Sequence, residues 1–178
     1  MFSTYAQTDP FNRNGKRNRS NTDTDAYNCG GFALGTYSWY VPYRSDEQMN
    51  IYDRWADIQM WLDAAEDADN TANSLIARAA VHTCVVSLLN LFVKRILEDF
   101  PSVRRVQNFE EIKSDECIIL FRIGADDFHF IVSFDHKHWW HKYGCNCIEE
   151  LCEDEVLDTE WANGRYFSPI VILAMPND

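Results

Sequence analysis

Two apolar runs joined by a short polar turn constrain this chain more than any other feature. Cys117 to Ile123 leads through Gly124-Ala125-Asp126-Asp127 into Phe128 to Phe134. Each run is short, rich in β-branched and aromatic residues and bounded by turn residues, which is a strand signature. Two such runs across a four-residue loop predict an antiparallel hairpin. Within the second run, alternation puts Phe128, Phe130, Val132 and Phe134 on one face and His129, Ile131 and Ser133 on the other. A strand apolar on both faces must be covered on both, so His129 falls inside the fold.

Upstream of the hairpin the periodicity is helical. Ile51, Trp55, Ile58 and Leu62 share one face of a helix whose other face carries Asp53, Asp57 and Asp63, continuing into Glu66, Asp67 and Asp69. After a break at residues 70–74, Leu75, Ala79, His82, Val86, Leu89, Val93 and Ile96 advance by fours and threes. They predict a long helix to about Asp99 with a buried seam, ended by Pro101. The β-branched Val81, Thr83, Val85 and Val86 offer a point of division, and His82 and Cys84 read as core. Short strands are expected at Val103–Val106, His136–His141 and Ser168–Met175, with residues 145–160, which hold no Lys or Arg, as an acidic loop or short helix. Helices first and a meander of strands after them make the class α+β. Residues 1–25 read as a polar arm with a basic cluster (Arg13, Lys16, Arg17, Arg19), and residues 26–178 as a single domain with no internal repeat or linker.

A net charge of −12 argues against direct nucleic-acid binding and against anionic membranes, and leaves solubility, a basic protein partner or mimicry of nucleic acid as its use. The N-terminal residues lack a basic segment followed by an apolar one, and no segment is read as a membrane span. The six cysteines are therefore expected as reduced thiols of a cytoplasmic protein.

Ala26 to Tyr40 carries the chemistry. Asn28 is a good N-cap, and Phe32, Ala33, Thr36, Tyr37 and Tyr40 follow at roughly helical spacing, so Cys29 falls in a first helical turn. There, unpaired N–H groups and the helix dipole favour the thiolate. Gly30 and Gly31 weaken a helix, which suggests a close approach to the backbone. A plain buried thiol is the alternative.

Asn28-Cys29-x-x-Phe32-Ala33, then Asp127-Phe128-His129-Phe130, then Trp139-x-His141-Lys142-x-Gly144 together resemble the papain-like cysteine hydrolases, the broad group that includes the NlpC/P60 and CHAP domains. They are also similar to small proteins frequent in Firmicutes and their prophages. The resemblance implies a Cys helix packed on an antiparallel sheet and a Cys29–His129 pair attacking a peptide or amide substrate, with no cofactor. His141 would orient His129, with Asp135 as the second choice. Such enzymes often place a Gln before the Cys as oxyanion donor. Here Tyr27 and Asn28 stand in that region, so one of them would join the backbone N–H of Cys29.

Two other readings compete. His136, His138, His141, Cys145, Cys147 and Cys152 are zinc-type ligands crowded in one segment, but their spacings match no familiar finger. Alternatively, a small acidic phage-type protein acts by binding a host defence or nucleic-acid-binding protein, with residues 46–69 and 145–160 as its acidic patches.

Overall fold

The hairpin forms as its alternation requires. β4 (Glu116–Ile123) pairs antiparallel with β5 (Phe128–Ser133), Ile123 lying opposite Phe128 and Ile118 opposite Ser133. The computed structural model describes residues 11–12, 16–17, 27–36, 38–144 and 146–177. Around the hairpin, β3 (Arg104–Val106), β6 (Trp139–Lys142), β7 (Ile148–Leu151) and β8 (Val171–Pro176) complete a six-stranded antiparallel sheet in the order β3-β8-β4-β5-β6-β7. The protein is α+β. β7 and a short helix (Glu153–Leu157) occupy the acidic stretch read as a loop or helix.

The first three helices cover one face of the sheet. A short helix α1 (Cys29–Ala33) leads into α2 (Gln48–Glu66) and α3 (Thr71–Asp99), the latter capped by the Asn70 side chain accepting from Asn73 N–H at 2.9 Å. Phe92 of α3 packs edge-on against Phe121 and Phe128, and Ile51, Trp55 and Ile58 of α2 join the same core. Each fully buried side chain of this kind contributes about 1.5–3 kcal/mol. The other face carries a smaller cluster of Ile118, Leu120, Ile131, Trp139, Val156, Trp161 and Tyr166. His129 lies on this second face, packed against Tyr166 and Trp161.

Three expectations need correction. The helix opening at Cys29 ends at Ala33 instead of running towards Tyr40: Gly35 turns the chain with φ 66°, and the chain returns so closely that a Cβ on Gly31 would lie 1.8 Å from the Ser38 carbonyl oxygen. The long helix is undivided, and Leu89, Val93 and Ile96 of its expected seam are buried, but the first half of that seam is displaced. Ala77, Val81, Val85 and Leu88 are buried there, whereas Leu75, Ala79 and His82 are exposed, so His82 is not core. Lastly, α3 does contain a window apolar and long enough to span a membrane, at mean hydropathy 1.7, of which 39 % is buried. Its buried stripe packs on α2 and the sheet as a core helix does.

The basic arm lies outside the described residues, apart from β1 (Phe11–Asn12) and β2 (Lys16–Arg17), which pair antiparallel.

Candidate functional site

Asn28 builds the turn that presents Cys29. Its side-chain oxygen accepts from the N–H of Gly31 (3.0 Å) and of Tyr40 (3.1 Å), while its amide nitrogen donates to the Tyr40 carbonyl at 2.6 Å. One buried carboxamide thus caps α1 and straps the returning chain to it. These bonds use the Asn28 oxygen and one of its two amide N–H donors, so the second N–H is the part of the side chain left for an oxyanion. Tyr27 is fully buried, stacked on Phe32 with the Lys142 ammonium 5.1 Å from its ring centre. The backbone N–H of Cys29, which the cap does not use, remains at the helix start.

The Cys29 sulfur sits against the backbone of β5. The β5–β6 ladder pairs only Ile131 with His141 and Val132 with Trp140, so the first residues of β5 keep an edge that β6 does not take. The thiol donates to the Phe128 carbonyl at 4.0 Å, and the N–H groups of Phe130 and Gly30 face the sulfur. Burial nevertheless pushes the thiol up to about 12, with Asp127 adding to the rise and Lys142 opposing it. The expected low-pKa thiolate is not the resting state, because a five-residue helix and two N–H groups do not offset loss of water.

His129 reaches the same place from the other side of the strand. It and Cys29 line one cavity of about 280 Å³, together with Asp127, Tyr43, Gly144 and Tyr166. The ring stacks on Tyr143 (centroids 4.4 Å apart, planes 17°) and on Tyr166 (5.1 Å, 20°), which lie 6.4 Å from each other and so flank it on adjacent sides. Tyr166 is itself held by its hydroxyl, which donates to Asp127 at 2.9 Å. His129 Nε2 lies 3.1 Å from His141 Nδ1, so the sequence-predicted His–His contact is present. Burial holds His129 well below its ordinary value, with His141 and Arg165 lowering it further, and burial also lowers His141 against the pull of Glu149. Both rings are therefore neutral near pH 7.

One proton arrangement suits this geometry. Glu149 Oε2 lies 3.5 Å from His141 Nε2, which favours the His141 proton on Nε2. His141 Nδ1 then accepts from His129 Nε2–H, leaving His129 Nδ1 unprotonated and basic.

The remaining candidates are placed elsewhere. Asp135 accepts from the backbone N–H and the ring of His138 (2.6 Å to Nδ1) and so does not orient His129. His136 Nε2 contacts the Glu116 carbonyl, and Cys152 is bound to Glu155. Cys145 lies outside the described residues. Among the described residues no three His, Cys, Asp or Glu side chains converge on a metal position.

Comparison adds no relative. No family model, curated protein or solved structure matches this chain. The site is read on its own geometry.

Several contributors were not anticipated from the residues alone. Lys142 alternates away from His141 on β6 and is buried beside Tyr27 on the Cys29 side, its ammonium donating to the Gly144 carbonyl. Tyr166 arrives on a small turn in which Trp161 and Tyr166 bridge and Ala162, Asn163 and Gly164 all have positive φ (53°, 55° and 88°). Asn163-Gly164 was the available signal, since that dipeptide favours tight reversals.

Proposed function

We propose that the protein is a thiol-dependent hydrolase of amide or thioester bonds, with a papain-like arrangement of Cys29 as nucleophile, His129 as general base and acid, and His141 as the positioning residue. The observation that carries this reading is the 3.1 Å His129–His141 contact beside a cavity that Cys29 also lines. A buried imidazole packed against two tyrosines and held at one nitrogen by a second imidazole keeps its other nitrogen for a separate task.

Because thiol and imidazole are both neutral at rest, the chemistry runs by general base catalysis and not through a preformed ion pair. As sulfur attacks the carbonyl carbon, the thiol proton passes to His129 Nδ1. The C–S bond forms, and the oxyanion is stabilised by the Cys29 N–H at the start of α1. Collapse breaks the bond to the leaving group, which takes the proton from His129. Water then attacks the acyl-thiol, losing its proton to the same nitrogen; the C–S bond breaks, the sulfur takes that proton back, and the acid departs. The substrate is a peptide, amide or thioester, and free thiols fit a reducing, cytoplasmic setting.

The test is alkylation by iodoacetamide at neutral pH, read site by site by mass spectrometry, with His129→Gln as the variant. The exposed Cys147 and Cys152 serve as internal standards. Loss of general-base assistance slows Cys29 alone, by about tenfold or more. Equal rates in the two proteins remove catalysis from the reading.

A second reading is favoured by the raised Cys29 thiol: a scaffold that binds a basic protein through its acidic surface without catalysis. Cys29→Ala decides between them in a biological assay, since a binder keeps full potency.

A further inference from the structure

The cavity that Cys29 and His129 share continues past both residues along a wall that the thiol chemistry does not use. Trp39 and Tyr43 from the loop before α2, and Tyr52 and Trp55 from α2 itself, line it. Tyr43 and Trp55 pack into the core, where they meet edge-on (centroids 6.3 Å, planes 85°). Trp39 and Tyr52 do not, and are 55 % and 47 % exposed. Tyr52 lies nearly parallel to Trp55 (6.0 Å, 27°). Its hydroxyl accepts from Gln48 Nε2 at 2.6 Å and is hydrogen-bonded to the Tyr43 hydroxyl. Rings held from behind and half open to water along a cavity are matched by another flat apolar group.

Aromatic walls alone are core left uncovered. The second observation is the Trp55 indole. Only 8 % of that residue is exposed, and its Nε1–H is buried with no hydrogen-bond partner among the described residues. A buried indole N–H ordinarily has a partner, and one that has lost its water without gaining any is stabilised by an acceptor that reaches it. Charge narrows the match further. Asp127, the partly buried carboxylate of the cavity, already accepts from Arg165 (3.1 Å), from the Tyr166 hydroxyl (2.9 Å) and from the Phe128 N–H (2.8 Å). A cation entering there finds that carboxylate taken, and Asp126 is exposed, where water screens it. An anion meets both carboxylates as like charges. A neutral group carrying an acceptor is the match that remains.

We propose that this wall is the recognition subsite for the acyl part of the substrate, and that it selects a neutral aromatic acyl group whose ring packs on Trp39 and Tyr52 and whose amide oxygen accepts from Trp55 Nε1–H. The volume of about 280 Å³ lies close to the lower end of the range for small-molecule sites, which suits one ring and an amide. For the bond that is cut this rests on the thiol-hydrolase reading, which sets the scissile carbonyl at Cys29. Binding of the ring needs no reaction at Cys29.

Cys29→Ala protein, which turns no substrate over, separates recognition from chemistry. The probe is N-benzoylglycinamide, with N-acetylglycinamide as the control without a ring and benzamidinium as the cationic ring. Each is titrated into the protein and followed by proton–nitrogen correlation spectra of the six tryptophan indoles, with a Trp55→Phe spectrum to identify the Trp55 signal. The expected result is saturable binding of the benzoyl compound, about tenfold or more tighter than either control, with the Trp55 indole proton moving downfield as its bond forms. Trp39→Ala/Tyr52→Ala weakens that binding about tenfold, and both replacements are on exposed side chains, so the fold is retained. No saturation up to about 10 mM, equal affinity for the acetyl compound or for benzamidinium, unchanged affinity in the double variant, or an unmoved Trp55 signal each overturns the proposal. The alkylation of His129→Gln protein reads something else. Equal labelling there with benzoyl binding here removes catalysis and leaves the binding site, whereas slowed labelling without benzoyl binding removes the subsite alone.

Discussion

Acid should destabilise this protein before its carboxylates begin to titrate, because two imidazoles are buried neutral. His129 is 1 % exposed and His141 3 %, and burial lowers both. An unfolded chain protonates each near the ordinary 6.5, whereas the native state does not. The unfolded state then binds more protons, so stability falls as pH drops below 6.5 and is regained above it. Each fully suppressed site costs about 1.4 kcal/mol per pH unit, which integrates to about 1.2 kcal/mol between pH 7 and pH 5.5. His129, facing His141 and Arg165, contributes that full amount. His141 contributes less, because Glu149 and Glu155 pull its pKa back up.

The combined loss is therefore about 1.2–2.5 kcal/mol over that interval. Asp135 raises His138, which acts in the opposite sense, but that side chain is 53 % exposed and water screens most of its effect. Urea unfolding followed by tryptophan fluorescence, at pH 7 and pH 5.5, measures the difference. His129→Gln should flatten the dependence by about half or more, whatever it does to stability at pH 7. A wild-type protein equally stable at the two pH values, or a His129→Gln protein that keeps the whole dependence, would show that these rings are protonated or hydrated in the native state.

Glu116 titrates in a separate window. Arg104 holds its carboxyl down at about 2, so its contribution is present above the ordinary 4.5 and lost as pH falls through about 2. Arg104 is 38 % exposed and the pair is partly screened, so Glu116→Gln should cost about 1–2 kcal/mol at neutral pH and at most a few tenths at pH 2. Urea midpoints at the two pH values check this, and a loss independent of pH would assign Glu116 a packing role instead. Gly31→Ala should cost more than about 4 kcal/mol or prevent folding, because the added Cβ meets the Ser38 carbonyl at 1.8 Å. Gly144→Ala should cost only about 1–2 kcal/mol, since it meets no atom within 4 Å and bears only the cost of φ 47°. Thermal unfolding of the two variants compares them, and equal losses would refute the close approach at Gly31.

The sheet was legible where one local pattern decides it. β4 and β5 are bounded by turn residues and alternate by period two, so their pairing and the facing of His129 follow from residue order. Helix α3 shows where this fails. It carries two apolar stripes: Leu75, Ala79, His82 and Val86 on one side, and Ala77, Val81, Val85 and Leu88 on the other. Periodicity identifies both as helical and ranks neither. The choice belongs to partners hundreds of atoms away, α2 and the sheet, which cover the second stripe and leave Leu75 and Ile76 at 62 % and 64 % exposure. The length of α1 was hidden for a similar reason, since it is ended by a reversal at Gly35 that the helical spacing of Thr36 and Tyr40 masks.

At the candidate site, the positions were more legible than their energetics. That Cys29 opens a helix follows from Asn28, and that it is desolvated does not, because its sulfur is set against the backbone of Phe128 and Phe130, about a hundred residues away in the chain. The same holds for His129, whose aromatic neighbours are Tyr143 from the end of β6 and Tyr166 from the Asn163-Gly164 turn. Those two rings pack against the imidazole and His141 bonds its Nε2, which is how a histidine on an apolar strand remains buried without a carboxylate. Cys29, on the opposite side of the strand, lines the same cavity as His129 where the β5–β6 pairing ends. A strand ladder that continued past Ile131 would separate the thiol from the imidazole by a closed sheet. The early end of the β5–β6 pairing gives the two residues a shared cavity, and so makes chemistry between opposite faces of one strand geometrically admissible.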